Sequence, residues 1–466
     1  MFTIVLFSRM HTLLEDCRPY EVCIERSIAG LKQEHEMVKF HLGWFLGPGI
    51  TVQGWNTPGY AASYDWTKPD IFQDGVRALE RACFDFVILE DTGGVPNAYQ
   101  DSMNYYLKTA TYTPKFDPAV LTPYLLMATK KIGIATTLTT TFYPPWLLAR
   151  QIATLDHYSN GRMGWNIVTA NSDAVAQNFG YDKQFAHDQR YDMADEYMDL
   201  VKQLWEAWEP DAVVQDLTTN TFIDPSKVKA VNFHGKYYKS RGPLNVPRSP
   251  QTAPLYIAPG GSPRGRQFGG RNAEVVLAGG DTVAGMKEYR NDVRRQAAAL
   301  GRDPDRVKMM FICGPVITKD RKAAEEYKAN LPKMRAERLE KTLAVMSFLL
   351  GIDFSKIDLD TPLPEIRSNG TLTMLKAFKD AGPEATLRDV ATRPEGWELI
   401  GTAEDCASQM QDAMEEIGGD GFLVVGPLVP GYVNSVVEEL VPVLQRRGLT
   451  RTEYSHQHLR DNVMAF

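Results

Sequence analysis

The sequence predicts an α/β protein, a closed (β/α)8 TIM barrel with insertions after strands 2, 4 and 7. Three observations carry this. Eight short apolar runs recur along the 466 residues, each followed by a segment whose apolar residues return at helical spacing. The runs are nearly continuous rather than alternating, as in strands covered by helices on both faces. Eight such parallel units, joined by right-handed crossovers, close into a ring rather than extend as an open sheet.

In order, the first strand is predicted over 39–47 (KFHLGWFLG) and the helix after it over 71–83 (IFQDGVRALERAC), with apolar residues three and four apart. The second strand is 84–90 (FDFVILE) and the third 131–138, followed by a helix over 145–158. The fourth is 161–168, and a long helix runs from about 188 to 208. Strand 254–258 leads into helix 263–271, strand 273–278 into helix 282–300, and strand 307–313 into a long insertion. Strand 421–425 (GFLVV) and helix 431–447 complete the ring. The surplus lies in 92–130, rich in tyrosine, in 208–250, and in a charged, helix-forming stretch over about 318–400. Residues 38–466 read as a single barrel domain. Residues 1–37 read as an N-terminal extension of unknown role. The first two surplus segments are expected to build site walls, and 318–400 to supply a lid or a subunit contact.

Composition narrows the function. At 44 % hydrophobic and 23 % charged residues the chain is globular. A net charge of −7 gives no electrostatic reason to bind nucleic acid or an anionic membrane, and no uninterrupted apolar run is long enough to span one. The five cysteines (17, 23, 83, 313 and 406) form no Cys-x-x-Cys pair, which favours a reducing compartment. The N-terminus lacks the basic region and apolar length of a secretory signal. A cytoplasmic location is expected.

No histidine or cysteine cluster has metal-ligand spacing, so no metal is expected. No nucleophile elbow and no dinucleotide fingerprint occurs. Gly260–Arg266 (GGSPRGR) lacks the Lys-Ser/Thr pair of a phosphate-binding P-loop. It still follows a strand and opens a helix, where backbone N–H groups can meet an anion; an ordinary βα turn is the plain alternative. His187-Asp188-Gln189-Arg190-Tyr191 begins the long helix, with Asp188 as N-cap and His187 and Tyr191 one turn apart on one face. Asp91 ends the second strand, and Thr136 and Thr137 the third. Singly each suits a solvated or packed residue. Together they converge on the C-terminal mouth of one barrel and suit a phosphorylated, planar ligand.

At these residues the chain resembles the flavin-dependent monooxygenases of the bacterial luciferase-like family, in the branch of the nitrilotriacetate, EDTA and dibenzothiophene-sulfone monooxygenases. The resemblance is carried by 141–180 (TFYPPWLLARQIATLDHYSNGRMGWNIVTANSDAVAQNFG), 187–212 (HDQRYDMADEYMDLVKQLWEAWEPDA), 234–251 (HGKYYKSRGPLNVPRSPQ), 258–268 (APGGSPRGRQF) and 421–448. It covers nearly everything from about residue 39 to 460, and residues 1–37 have no counterpart in it.

The resemblance implies an FMNH2-dependent two-component monooxygenase. Its reduced FMN comes from a separate NAD(P)H-dependent flavin reductase and reacts with O2 to a C4a-hydroperoxide. That species oxygenates a small organic compound of organosulfur or aminopolycarboxylate type. Carried over by position, the FMN contacts fall on Asp91, Thr137, His187, Tyr191 and Ser262. Trp44, Tyr143 and Trp165 fall at the flavin's apolar wall and the substrate pocket, with ordinary core packing as the alternative for each. His187 is left as either a flavin contact or a proton-managing group. Arg241, Arg248, Arg264 and Arg266 flank the expected site and could favour a carboxylate or sulfonate substrate, with the FMN phosphate or solvent as equal alternatives for Arg264 and Arg266. The family habit also implies a homo-oligomer. A deazaflavin-dependent oxidoreductase on the same barrel, or a flavin-binding protein without turnover, are the other readings.

Overall fold

The apolar runs form eight parallel strands: β1 (His41–Leu46), β2 (Phe86–Leu89), β3 (Gly133–Thr139), β4 (Met163–Val168), β5 (Leu255–Pro259), β6 (Val275–Ala278), β7 (Lys308–Cys313) and β8 (Gly421–Val425). The structure, a computed structural model, describes residues 38–47, 52, 55, 64–394 and 396–466; the extension expected over 1–37 lies outside them. The strands close into a barrel in the order β1-β8-β7-β6-β5-β4-β3-β2. β1 completes the ring, with Gly43 opposite Phe86 of β2 and Trp44 opposite Val424 of β8.

Strand alternation divides the apolar residues between two layers. Phe86 and Ile88, Ala135, Leu255 and Ile257, Val275 and Leu277, Met310 and Leu423 fill the interior of the ring. Their neighbours in sequence face the helices: α1 (Asp70–Arg81), α2 (Pro118–Ala128), α3 (Pro145–Ser159), α4 (His187–Glu206), α5 (Pro263–Asn272) and α6 (Val283–Ala299). In α4 the buried residues Met193, Ala194, Tyr197, Met198, Val201, Leu204 and Trp205 recur at three- and four-residue spacing, the stripe that docks a helix on a sheet.

The floor of the barrel is closed by a late element. A short helix, Leu459–Val463, sends Leu459 and Val463 into the same interior cluster, each 1 % exposed. Gly133 makes room for it: a Cβ there would lie 2.5 Å from Leu459 Cδ1. Beside it Asp85, fully buried, meets His41 Nδ1 at 3.2 Å and Arg451 Nη2 at 2.8 Å, and accepts from the Leu42 N–H at 3.1 Å.

The insertion after β7 contains four helices, α7 (Arg321–Glu337), α8 (Leu339–Leu350), α9 (Leu372–Asp380) and α10 (Leu387–Thr392). A two-stranded parallel clip, Val316–Ile317 against Ile400–Gly401, holds its two ends together. The chain then returns to the ring through α11 (Ala403–Ile417), β8 and a helical run over 430–446. The insertion shares one hydrophobic cluster with the tyrosine-rich connection after β2. Tyr99 and Tyr106 pack with Leu343, Phe348, Phe354 and Phe378, and the Tyr106 hydroxyl donates to the Ala344 carbonyl at 2.8 Å. Residues 208–250, expected as a site wall, instead fold into two antiparallel hairpins, Val213–Asp216 with Thr221–Ile223 and Phe233–His234 with Lys239–Ser240. None of these residues lines the cavity at the mouth. Among the described residues no helix is long and apolar enough to cross a membrane.

Candidate active site

The C-terminal ends of β2, β3 and β4 open on a cavity of about 380 Å3. Asp91, Thr137 and Tyr143 all line it. Thr137 follows Gly133 and Ala135 on the inward face of β3, and its Oγ1 accepts from Asn166 Nδ2 of β4 at 2.8 Å. Burial pushes the Asp91 carboxyl up against the opposing pull of Lys115. Burial also pushes the Tyr143 phenol up to about 12, with the charges of Asp117 and Asp91 adding to it. Phe142 and Phe179 stack with centroids 4.5 Å apart and form part of the wall. Phe348, from the insertion, forms another part.

A second group stands at the end of the next strand, β5. Ser262 caps α5, its Oγ accepting from the Gly265 N–H at 3.0 Å. Tyr191 is half-buried against it. Burial raises the Tyr191 phenol, while a hydrogen bond with Ser262 and the charges of Arg190 and Arg264 pull the other way. Gly265 is required here, since a Cβ would lie 2.9 Å from the Tyr191 hydroxyl. The His187 ring lies 5.2 Å from that of Tyr191. α4 begins at His187, one residue earlier than expected, with Ala186 as N-cap. Asp188 therefore sits inside the first turn, where its carboxylate lies 2.7 Å from His187 Nδ1. An Nδ1–H donated to Asp188 leaves Nε2 as an acceptor.

Two expected pocket residues lie elsewhere. Trp44 and Trp165 are both fully buried, but on the outward face of their strands. The Trp44 indole donates to the Gly426 carbonyl at 3.1 Å and packs on Phe84 and Tyr432. The Trp165 indole donates to the Leu138 carbonyl at 2.9 Å and packs on Tyr197 and Trp205. Both are core aromatics because the inward positions of β1 and β4 belong to Phe45 and Asn166. Three of the four flanking arginines are committed outside the cavity, and Arg241 does not line it. Arg264 pairs with Asp192 and Asp195, Arg266 with Asp292, and Arg248 donates to the Trp208 carbonyl.

Several residues were not singled out from sequence. Arg190 is 2 % exposed, and only its Nη2 has a partner, the Asn369 carbonyl at 3.0 Å; its Nε and Nη1 are buried and unpaired. Its signal was its place between His187 and Tyr191 on one helix face. Asn166 Oδ1 and Thr92 Oγ1 are likewise buried and unpaired, an amide inside the apolar run MGWNIV being the signal for the first. The insertion reaches this region as well. Asn369 accepts from the His187 N–H and donates to the Phe185 carbonyl, and Asn171 donates to Thr371. Among the described residues no group of three or more His, Cys, Asp or Glu could hold a metal ion.

The family model for luciferase-like monooxygenases matches residues 49–421. The chain belongs to the luciferase-like monooxygenase family. The enzyme is thus a flavin-dependent monooxygenase, as its resemblance implied. It is 34 % identical to dibenzothiophene-sulfone monooxygenase of Rhodococcus erythropolis (strain XP), over 93 % of this chain and 97 % of that one. It is also 34 % identical to nitrilotriacetate monooxygenase component A of Aminobacter aminovorans, over 91 % and 96 %. Among solved structures, a riboflavin lyase crystallised with modified FMN and riboflavin superposes with a TM-score of 0.81 at 30 % identity, covering 92 % of this chain and 96 % of that one. In this luciferase-like monooxygenase the eight strands close one parallel barrel, and Asp91, Thr137 and Tyr143 line the cavity at its C-terminal mouth, whereas His187, Tyr191 and Ser262 stand outside that lining.

Proposed function

We propose that this monooxygenase binds reduced FMN, delivered by a separate NAD(P)H-dependent flavin reductase, and uses O2 to oxygenate a small organosulfur compound. The observation that carries the reading is the pattern of buried, unpaired polar atoms. Buried polar groups in folded proteins are nearly always hydrogen-bonded. Here Arg190, next to Tyr191, leaves two guanidinium donors buried and idle, which suits an anion such as a phosphate. Asn166 Oδ1 within β4 and Thr92 Oγ1 just past β2 are idle as well, which suits the polar edge of a flavin ring. Bound there, the reduced flavin supplies the reaction with O2. The chain's task is to orient the ring, hold the substrate against it and exclude water. Phe142, Phe179 and Phe348 supply the dry wall for that. Asn369 and Thr371 tie the insertion over the mouth, as a cover would require.

Tyr191→Phe and Ser262→Ala each remove one polar contact. Each is expected to weaken reduced-FMN binding by about 1 kcal/mol, roughly fivefold, in an anaerobic fluorescence titration. Unchanged affinity in both variants removes this end of the flavin site. The whole reading is tested with purified protein, a flavin reductase, NADH and FMN. Product carrying one atom of 18O2 supports it, and failure to bind reduced FMN ends it.

We also infer a homo-oligomer. Val120, Tyr124 and Met127 form an exposed apolar stripe at i, i+4 and i+7 of α2. Met127→Lys is expected to lower the mass measured by light scattering; an unchanged mass removes that face from the contact. Three buried free cysteines, Cys83, Cys313 and Cys406, suit the reducing cytoplasm where such a flavin supply operates.

A further inference from the structure

Three charged side chains line the cavity among the described residues: Asp91, Lys115 and Asp117. Lys115 is the one cation of the three, and it is already engaged. Its Nζ lies 2.5 Å from Glu90 Oε2, with the two side chains 4 % and 17 % exposed. It also stands 5.1 Å over the ring of Tyr112. Asp117 spends its carboxylate on the N–H groups of Ala119 and Val120 at the start of α2, and the Asp91 carboxyl, pushed up by burial, lines the cavity beside it. The Lys115–Glu90 pair carries no net charge, and among the described residues the lining offers no unengaged cation. Arg248, Arg264 and Arg266 are bound to other partners and line nothing here.

We propose that Glu90 determines the substrate class: by holding Lys115 it leaves the cavity without an available cation, so the enzyme takes an uncharged, apolar thioether or sulfone and rejects carboxylates and sulfonates. This rests on the reading that places oxygenation at this cavity. An anion entering it would meet Asp91 and Asp117 and could be compensated only by drawing Lys115 away. That would leave the Glu90 carboxylate buried and unpaired, which is strongly unfavourable. An uncharged sulfone asks for none of this. Its rings meet Phe142, Phe179 and Phe348, and its weakly accepting oxygens need no cation. Discrimination of this kind works by rejection as much as by attraction. It would separate this chain from a relative such as the nitrilotriacetate enzyme, whose name specifies a polyanion.

The test uses the purified full chain, with and without saturating FMN, and three probes: diphenyl sulfone, biphenyl-4-sulfonate and nitrilotriacetate. Calorimetry on the wild type is expected to show the sulfone binding at least about 30-fold more tightly than either anion. In Glu90→Gln, where Lys115 is released, the sulfonate-to-sulfone affinity ratio is expected to rise at least about tenfold. The double variant Glu90→Gln/Lys115→Met, which removes the released cation, is expected to return that ratio to the wild-type value. Melting temperatures report whether each variant is folded, and the double variant keeps the argument testable if the single one is not. Wild-type binding of either anion as tight as that of the sulfone overturns the proposal, as does a ratio unmoved by Glu90→Gln. Failure of reduced FMN to bind would instead overturn the flavin reading, and the probe ratio without FMN reads the cavity's charge independently.

Discussion

Arg190→Met is expected to weaken reduced-FMN binding by about 1.5–3 kcal/mol, roughly 10- to 150-fold, while the protein stays as stable as the wild type to within about 1 kcal/mol. The two halves of that result have one cause. The guanidinium is buried with two donors unpaired and a single bond to the Asn369 carbonyl. In the folded protein alone it therefore carries most of its desolvation cost uncompensated, and burial lowers its pKa accordingly. A methionine of similar length removes that cost along with the one hydrogen bond. An anion bound next to Tyr191 would satisfy the two idle donors as a charge-assisted fork, and that gain is what the variant loses. Arg190→Lys keeps the charge without the fork and is expected to fall between the two. Anaerobic titration with reduced FMN, paired with urea melts, checks both halves. A large stability loss with unchanged affinity would make Arg190 a structural residue only.

The second large effect lies at the opposite end of the barrel. Asp85→Ala is expected to destabilise the fold by about 3–5 kcal/mol, a large fraction of the roughly 5–15 kcal/mol of a typical domain. It leaves the buried Arg451 guanidinium and His41 ring without the carboxylate between them, and it strips the acceptor from the Leu42 N–H. Burial alone would push the Asp85 carboxyl up, but His41 and then Arg451 outweigh it and hold it below the ordinary value of 3.8. A carboxyl depressed in the folded state stabilises most above its unfolded pKa and loses that contribution as pH falls through the folded one. The wild type is therefore expected to lose stability below about pH 4. Asp85→Asn, starting less stable, should show a flatter acid limb. Urea denaturation between pH 3 and 7 checks this; parallel pH profiles would remove Asp85 from the account.

The barrel was legible in the sequence because its strands are buried on both faces. Eight continuous apolar runs, with Phe86–Leu89 and Gly421–Val425 the clearest, needed no pairing information to be seen. That same continuity hid which way each side chain points. A strand apolar on both faces has no period of two to read, so Trp44 and Trp165 were indistinguishable from lining residues until the register was known. Asp91, Thr137 and Tyr143 were reachable because polar or aromatic residues at strand ends need only their position in the βα unit. Lys115 was not. It lies in a long connection, and its meaning comes from Glu90, 25 residues away, a contact that no periodicity encodes. The insertion was visible as surplus, whereas its union with the tyrosines after β2 depends on packing between segments more than 200 residues apart.

The ring's closure has a bearing on how the chain is made. β1 finds one neighbour in β2 and the other in β8, and the floor waits for Leu459 and Val463. At the usual 5–20 residues per second of synthesis, roughly 20–80 s separate the emergence of β1 from that of its last partner. Throughout that interval the growing sheet exposes two unsatisfied edges and an unplugged apolar lumen, a template for misassociation. A chaperone that shields those edges during translation is then expected to raise the soluble yield more than any substitution that stabilises the finished barrel.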